Sequence, residues 1–117
     1  MPKGSEPPRH IHSWEDETFF LLEGRVQFEI GDSVIMGEIG QPVFGPRNVA
    51  HQFIIQSEQI RMLTAVTPGD FANFFWDFSQ SIDDVPTRLQ APKGPPPADL
   101  LARLTAQITG RFGARFL

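Results

Sequence analysis

Short apolar segments, interrupted at regular intervals by glycine, proline and asparagine, restrict the fold of this chain more than any other feature. Six of them predict β-strands: Thr18–Glu23, Val26–Ile30, Ser33–Met36, Gln41–Gly45, His51–Ile55 and Ile60–Val66. Val26–Ile30 alternates apolar and polar residues, which is the period of a strand with one buried face. Short strands at this spacing indicate an antiparallel sandwich or barrel.

The hydrophobic period changes after Pro68. Phe71, Phe74, Phe75 and Phe78 follow the i, i+3, i+4, i+7 spacing of one helix face. We therefore expect a short helix that packs its aromatic face on the wall of the β-structure.

A proline-rich stretch, Ala91–Pro97, predicts a stiff, extended linker. Ala98–Thr109 after it is amphipathic, with Gly110 as the expected stop, and carries apolar residues at Leu100, Leu101, Leu104 and Ile108. This helix either covers the β-structure or docks on a partner subunit. The chain thus divides into a β-structure over residues 1–68, a packed helix with its connection over residues 69–90, the proline-rich linker over residues 91–97 and a C-terminal amphipathic helix over residues 98–117.

The composition excludes several classes of protein. A chain of 117 residues builds one domain with a modest core. It has no cysteine, which excludes disulfides, thiolate zinc sites and cysteine nucleophiles and fits a cytoplasmic protein. We expect no membrane span, because no apolar run approaches about 18 residues. A net charge of −4 with scattered basic residues argues against a nucleic-acid partner.

All three histidines fall in two places that the predicted strands could bring together. His10 and His12 are two residues apart, so an extended strand projects both imidazoles from one face. Glu17 follows at an odd offset, and a bulge or loop across Ser13–Asp16 is needed to turn it to the same side. An isolated pair of histidines means little, but His51 and Glu17 complete a candidate metal site.

These residues resemble the two motifs of the cupin family over Gly4 to Phe75. The first motif is met at every spacing by Gly4, His10, His12, Glu17 and Gly24, and the second by Gly40, Pro46 and His51. Asn48 stands where the family usually has glycine, a mild change because asparagine also tolerates a left-handed backbone. Ile55 stands where the family often has asparagine, which makes that end of the pocket more apolar.

The resemblance implies a mainly β fold, a small antiparallel, jelly-roll-like cupin barrel with C-terminal helices. It also implies that His10, His12, Glu17 and His51 bind one divalent transition metal inside the barrel. Three imidazoles and a carboxylate suit Fe, Mn, Ni, Cu, Co or Zn and are a poor set for calcium. Four protein ligands leave one or two positions open on a five- or six-coordinate ion. The alternative is a closed zinc site that only stabilises the fold.

The first motif is most similar to small bacterial cupins of the quercetin 2,3-dioxygenase-like type. That resemblance implies a dioxygenase acting on a small aromatic or enediol-type substrate, with Glu17 as both ligand and catalytic proton acceptor. A non-catalytic cupin that binds metal or a small molecule is one alternative, and a metal-assisted isomerase or cyclase is another.

Strand alternation places four side chains on the pocket side with the ligands: Phe19, Leu21, Phe53 and Ile55. Ordinary core packing explains the same four residues. Arg47 is the one candidate to orient an anionic substrate, although a solvated loop arginine is the alternative. Glu15 and Asp16 are expected in solvent, unless one of them shapes the pocket entrance.

Only nine residues precede His10, fewer than small cupins usually carry. The barrel is then open on that side, or a partner supplies the missing strand, or the chain is a shortened one. Because an uncovered sheet edge favours aggregation, we expect a homodimer that pairs or swaps strands there, with the arm at Pro7 and Pro8 involved.

Overall fold

The computed structural model describes residues 1–87 and 89–117. Its strands are β1 His10–His12, β2 Asp16–Glu23, β3 Val26–Ile30, β4 Ser33–Met36, β5 Pro42–Gly45, β6 His51–Ile55, β7 Arg61–Thr67 and β8 Ala114–Phe116. A 3₁₀ turn, Gly69–Phe71, leads into helix α1, Ala72–Asp77; helix α2, Ala98–Ala106, continues as a π turn over Gln107–Arg111.

The strands form two sheets with antiparallel pairing throughout. The five-stranded sheet has the order β4-β3-β6-β1-β8, and the three-stranded sheet has the order β5-β2-β7. The fold is therefore mainly β and jelly-roll-like, as expected. It is an open sandwich and not a closed barrel, because within residues 1–87 and 89–117 no strand of one sheet pairs with a strand of the other.

The core lies between the sheets and follows from strand alternation. Inward-facing side chains of both sheets form one buried cluster, comprising Phe19, Leu21, Val26, Phe28, Val43, Phe53, Ile55 and Ile60. Burying a side chain of this size stabilises a fold by about 1.5–3 kcal/mol relative to leaving it exposed. This cluster holds the two sheets face to face and fixes the strands that carry the histidines.

The predicted strands are confirmed with small differences at their ends. Val26–Ile30, Ser33–Met36 and His51–Ile55 have the predicted bounds, and the other three shift by one or two residues. The interpretation of the C-terminus as helix alone was wrong, since Ala114–Phe116 is a strand. Nor does the helix stop at Gly110, because the π turn carries helical backbone through to Arg111.

The C-terminal segment packs on its own chain. Phe112 is fully buried, with its ring centroid 5.6 Å from that of Phe71 and 6.0 Å from that of Phe74. Beyond it, β8 pairs along the whole of β1, with Ala114 opposite His12 and Phe116 opposite His10. The free side of β1 is thus covered in cis, without a strand from a partner. The homodimer itself stays a prediction.

The helical part of the chain is short. Of the aromatic face predicted for α1, Phe71 is buried, Phe74 and Phe78 are half-buried and Phe75 is exposed. None of the helices within residues 1–87 and 89–117 has the length and apolar character needed to cross a membrane.

Candidate metal centre

The sheet pairing brings the three histidines together. Strand β1 lies beside β6, and their register places His10 opposite His51. His12 projects from the same face of β1, two residues along. The ring centroids are 4.6 Å apart for His10 and His51, 4.9 Å for His10 and His12, and 5.7 Å for His12 and His51.

Glu17 reaches this cluster from the opposite sheet. The chain leaves β1 after His12, turns over residues 13–15 and enters β2 at Asp16. The predicted break between His12 and Glu17 is confirmed, but it moves the chain from one sheet to the other and is not a bulge within one strand. Glu17 therefore faces the histidines across the interior, with its Oε2 atom 3.6 Å from His12 Nε2.

The four side chains fit a single metal ion. One ligand atom from each of His10, His12, Glu17 and His51 lies within 4.8 Å of all the others. Bonds of about 2.0–2.2 Å place donors on opposite sides of an ion about 4.0–4.4 Å apart, so small movements suffice. Exposure is 2% for His12, 7% for Glu17 and 2% for His51, while His10 is half-buried. The donor set and its burial thus suit the transition metals named above.

Glu17 and His51 form a buried ion pair. His51 Nε2 donates a hydrogen bond to Glu17 Oε2 at 2.7 Å, and His51 Nδ1 lies 3.1 Å from the Val49 carbonyl. Burial acts to lower the pKa of His51, but these two hydrogen bonds outweigh it and the pKa lies above 6.5. Burial likewise acts to raise the pKa of Glu17, but the hydrogen bond from His51 and the nearby histidine charges hold it below 4.5.

The other two histidines are held neutral. Burial lowers the pKa of His12 from 6.5 to about 4, although the Glu17 carboxylate opposes part of this effect. Burial also lowers the pKa of His10, against the opposing hydrogen bond of its Nδ1 atom to the Pro8 carbonyl. A neutral imidazole has a lone pair free for a metal, so these two residues are ready to bind one.

A cavity of about 780 Å³ opens beside the four ligands, and all four side chains form part of its wall. Much of the remaining wall is aromatic. The Phe71 ring lies 4.7 Å from the His12 ring, and the Phe116 ring lies 6.2 Å from the His10 ring, both edge-on. Sequence reasoning assigned neither phenylalanine to the pocket, although the apolar residues that follow Gly113 could have indicated a strand there.

The residues that the sequence assigned to the pocket lie in different places. Phe19 and Phe53 line the cavity, and the Phe19 ring is 6.1 Å from that of His51. Leu21 and Ile55 belong to the buried core and not to the cavity wall. Alternation predicts the face on which a side chain lies, but not its depth along the strand.

Arg47 also lies outside the cavity wall. Its guanidinium forms an ion pair with Asp16, with Nη2 3.1 Å from Oδ2, and its backbone N–H donates to Asp16 Oδ1 at 2.7 Å. This arrangement lowers the pKa of Asp16, mainly through the hydrogen bonds from Arg47. The pair anchors the loop before His51 to the start of β2.

The expectation that Glu15 is solvated was wrong. Its side chain is only 2% exposed, because the turn between the sheets directs it inward. Oε2 of Glu15 lies 3.5 Å from His12 Nδ1, on the side of the ring away from Glu17. Burial, with the neighbouring charges of Glu17 and Asp70, raises the pKa of this carboxyl.

Asn48 adopts the left-handed backbone that asparagine was expected to tolerate at this position of the second motif. It has a φ of 63°, the left-handed region that asparagine tolerates better than most residues. Its N–H donates to the His12 carbonyl at 2.8 Å and so ties the loop before His51 to β1.

Comparison with known proteins agrees with this geometry. The family model described as "Cupin domain" matches residues 1–71. Over 74 residues the chain is 31% identical to quercetin 2,3-dioxygenase of Bacillus subtilis, covering 63% of this chain and 22% of that protein. Over 56 residues it is 32% identical to an uncharacterized protein of Streptomyces coelicolor, covering 48% of this chain and 53% of that protein. The chain thus spans about a fifth and about half of these curated relatives.

Among solved structures, the cupin domain of Cnp3 from Schizosaccharomyces pombe superposes with a TM-score of 0.54 at 16% identity. The superposition covers 62% of this chain and 51% of that one. At this identity the likeness shows a shared fold.

Proposed function

Because this chain belongs to the cupin family, we propose that it is a metal-dependent dioxygenase acting on a small, flat substrate of the aromatic or enediol type. One observation carries the proposal, namely three imidazoles and a carboxylate in the wall of a largely apolar cavity of about 780 Å³. Small-molecule sites commonly have volumes of about 300–1,000 Å³ and apolar walls with a few polar groups at fixed positions.

The four ligands define the reacting end of the cavity. When bound, an iron, manganese, nickel, copper or cobalt ion would supply Lewis-acid and redox chemistry at the positions that the protein leaves open. Glu17 is ionised at neutral pH, because its pKa is lowered. It can therefore accept a proton from a substrate hydroxyl that enters beside it, in addition to acting as a ligand.

The aromatic walls favour a planar substrate. Phe19, Phe53 and Phe71 all line the cavity near the histidines. Phenyl rings bind flat apolar groups by stacked and edge-to-face contacts, and they exclude water from the reacting end. A ring bearing adjacent oxygens would present those oxygens to the ligands and its carbon skeleton to the phenylalanines.

The likeness to quercetin 2,3-dioxygenase of Bacillus subtilis supports this choice of reaction class, although the chain spans only 22% of that protein. The substrate test therefore starts from flavonols and extends to simpler catechols and enediols.

The test is elemental analysis of protein purified without a metal-affinity tag, followed by oxygen uptake with a flavonol panel. Near one equivalent of a redox-active metal, with substrate-dependent oxygen uptake that is absent in His51→Ala, is the expected result. Conversion without oxygen uptake would instead identify an isomerase or cyclase. Saturable binding without conversion, or zinc alone with no uptake, would identify a binding or structural site, and both results contradict the dioxygenase.

A further inference from the structure

Each candidate histidine ligand directs its Nδ1 atom away from the other ligands and towards an oxygen. For His10 that oxygen is the Pro8 carbonyl at 2.8 Å, and for His51 it is the Val49 carbonyl at 3.1 Å. A histidine that donates its Nδ1 proton in this way presents Nε2 to a metal, and such partners commonly fix the tautomer of metal-binding histidines.

His12 has no backbone carbonyl in this role. Of the buried side-chain polar atoms in residues 1–87 and 89–117, three lack a hydrogen-bond partner, and two of these are His12 Nδ1 and Glu15 Oε2. These two atoms lie 3.5 Å apart, and both side chains are 2% exposed. Leaving buried polar atoms unpaired is costly, and closing the gap by about 0.5 Å would give an ordinary hydrogen bond.

We propose that Glu15 is a positioning residue for the metal centre, whose carboxylate accepts the Nδ1 proton of His12 and so directs His12 Nε2 at the ion. A metal on Nε2 makes the Nδ1 proton more acidic and strengthens its bond to a carboxylate. The Nδ1 partners of His10 and His51 are backbone carbonyls, which a substitution does not remove. The partner of His12 is the Glu15 side chain, so a substitution can test it. The inference rests on the metal-binding part of the proposed function and not on the oxygen chemistry.

The position of Glu15 in the chain explains why it can serve this purpose. It lies three residues after His12, in the turn that carries the chain from β1 to β2. Its backbone is fixed on both sides by strands that hold ligands, His12 before it and Glu17 after it. A carboxylate at this position lies beside Nδ1 of His12, while the Glu17 carboxylate lies beside Nε2 of the same ring.

Zinc binding measures the effect without any turnover. Zinc affinity is determined by competition with a chelator for wild type, Glu15→Leu, Glu15→Gln and the control Glu23→Gln, which alters an exposed carboxylate at the end of β2. We expect Glu15→Leu to bind zinc about 10–100-fold more weakly, the usual effect of losing such a partner. Glu15→Gln retains an acceptor oxygen and should lose less, and Glu23→Gln should match wild type. An affinity of Glu15→Leu within twofold of wild type overturns the proposal.

Nitrogen-15 NMR of the histidine rings gives a second measurement. It uses only wild type and Glu15→Gln, so it remains possible even if Glu15→Leu does not fold. In zinc-loaded wild type we expect His12 to carry its proton on Nδ1, and in Glu15→Gln the signal of this proton should shift and exchange faster with water. Zinc bound through Nδ1 of His12, or an unchanged His12 signal in Glu15→Gln, contradicts the role of Glu15. Failure of wild type to bind zinc at all would refute the metal centre, and with it this inference. Zinc binding without oxygen uptake by any metal form refutes only the dioxygenase.

Discussion

His51 Nε2 and Glu17 Oε2 lie 2.7 Å apart although they belong to opposite sheets. With His12 Nε2, which lies 3.6 Å from the same oxygen, this contact adds polar interactions to the apolar packing between the two sheets. The attraction between imidazolium and carboxylate offsets part of the desolvation cost of this pair, and a metal ion would replace the proton between them. Metal binding and protonation therefore compete at the same atoms.

Replacing His51 by alanine should abolish tight metal binding. The substitution removes the ligand that the second motif contributes, and it leaves the Glu17 carboxylate without its hydrogen-bond donor. We expect the affinity for zinc or cobalt to fall more than about 100-fold, beyond the 10–100-fold typical of outer partners. Elemental analysis and chelator competition measure the loss.

Gln56→Ala is the matched control for His51→Ala, because Gln56 is exposed and directly follows the same strand. It should retain wild-type affinity. Stoichiometric metal in His51→Ala after dialysis would show that the four-ligand assignment is wrong.

The stability of the metal-free protein should decrease as the pH falls from about 6.5 towards 4. The folded state lowers the pKa of His12 from 6.5 to about 4, so across this range protons bind the unfolded chain before they bind the folded one. The contribution of His12 to the free energy of unfolding is fully present above pH 6.5. It decreases by about 3 kcal/mol as the pH falls from there to the pKa of the folded state. Burial of His10 acts in the same direction, whereas the raised pKa of Glu15 acts in the opposite direction and offsets part of the loss.

Urea denaturation between pH 7 and pH 4 in the presence of a chelator checks this effect, with His12→Gln as the comparison. The variant has no imidazole at this position, so its stability should decline less steeply than that of wild type. His51 and Glu17 are present in both proteins, but His12 lies 3.6 Å from Glu17, so the difference between the two profiles measures His12 together with its coupling to that carboxylate. Parallel pH profiles for the two proteins would mean that His12 does not contribute.

The main strands and the shared face of His10 and His12 could be predicted from sequence because both are expressed in local spacing, whereas the set of four ligands was implied by the resemblance to the cupin motifs. The pattern His10, His12 and the alternation of Val26–Ile30 depend only on the period of a strand. The left-handed backbone of Asn48 was likewise predictable, because the side chain itself tolerates it.

The surroundings of the site could not be predicted, because they depend on contacts between distant parts of the chain. Glu15 is buried by the transfer of the chain from one sheet to the other, and a run of three acidic residues gives no sign of that. Phe116 reaches His10 only because β8 returns from the far end of the sequence to pair with β1. Pairing of this kind is set by tertiary packing and not by local propensity.

Replacing Phe71 by alanine should destabilise the fold and enlarge the cavity. Phe71 is 7% exposed and contacts His12, Phe74 and Phe112, so it joins the metal centre to α1 and to the C-terminal segment. Phenylalanine-to-alanine changes at buried positions typically cost about 3–5 kcal/mol. We expect the free energy of unfolding to fall by an amount at the lower end of that range, because the cavity already borders one side of the Phe71 ring.

Trp76→Ala is the control for Phe71→Ala, since Trp76 lies in α1, the helix that directly follows Phe71, and is 78% exposed. Its free energy of unfolding should change by less than about 0.5 kcal/mol. Equal losses in the two variants, measured by urea denaturation, would show that Phe71 does not anchor α1 to the β-sandwich.

Gly113→Ala should weaken the attachment of β8 and with it the order of the histidine strand. Gly113 has a φ of +65°, where a side chain costs about 1–2 kcal/mol. An added methyl group would also lie 2.6 Å from Cδ2 of the Trp14 indole, which must then move. The Gly113 carbonyl accepts the Ser13 N–H at 3.0 Å, so a shift there reaches the turn between His12 and Glu15.

Gly110→Ala provides the matched control, because that glycine lies in the π turn with no atom within 4 Å of an added methyl group. It should leave stability unchanged or raise it by about 0.4–1 kcal/mol, through the lower entropy of the unfolded chain. Hydrogen exchange at the β1 and β8 amides would then rise in Gly113→Ala alone. Equal exchange of β8 in both variants would contradict the predicted loosening of β8. Faster exchange of β8 with unchanged exchange of β1 would show that the C-terminal strand does not hold His10 and His12 in place.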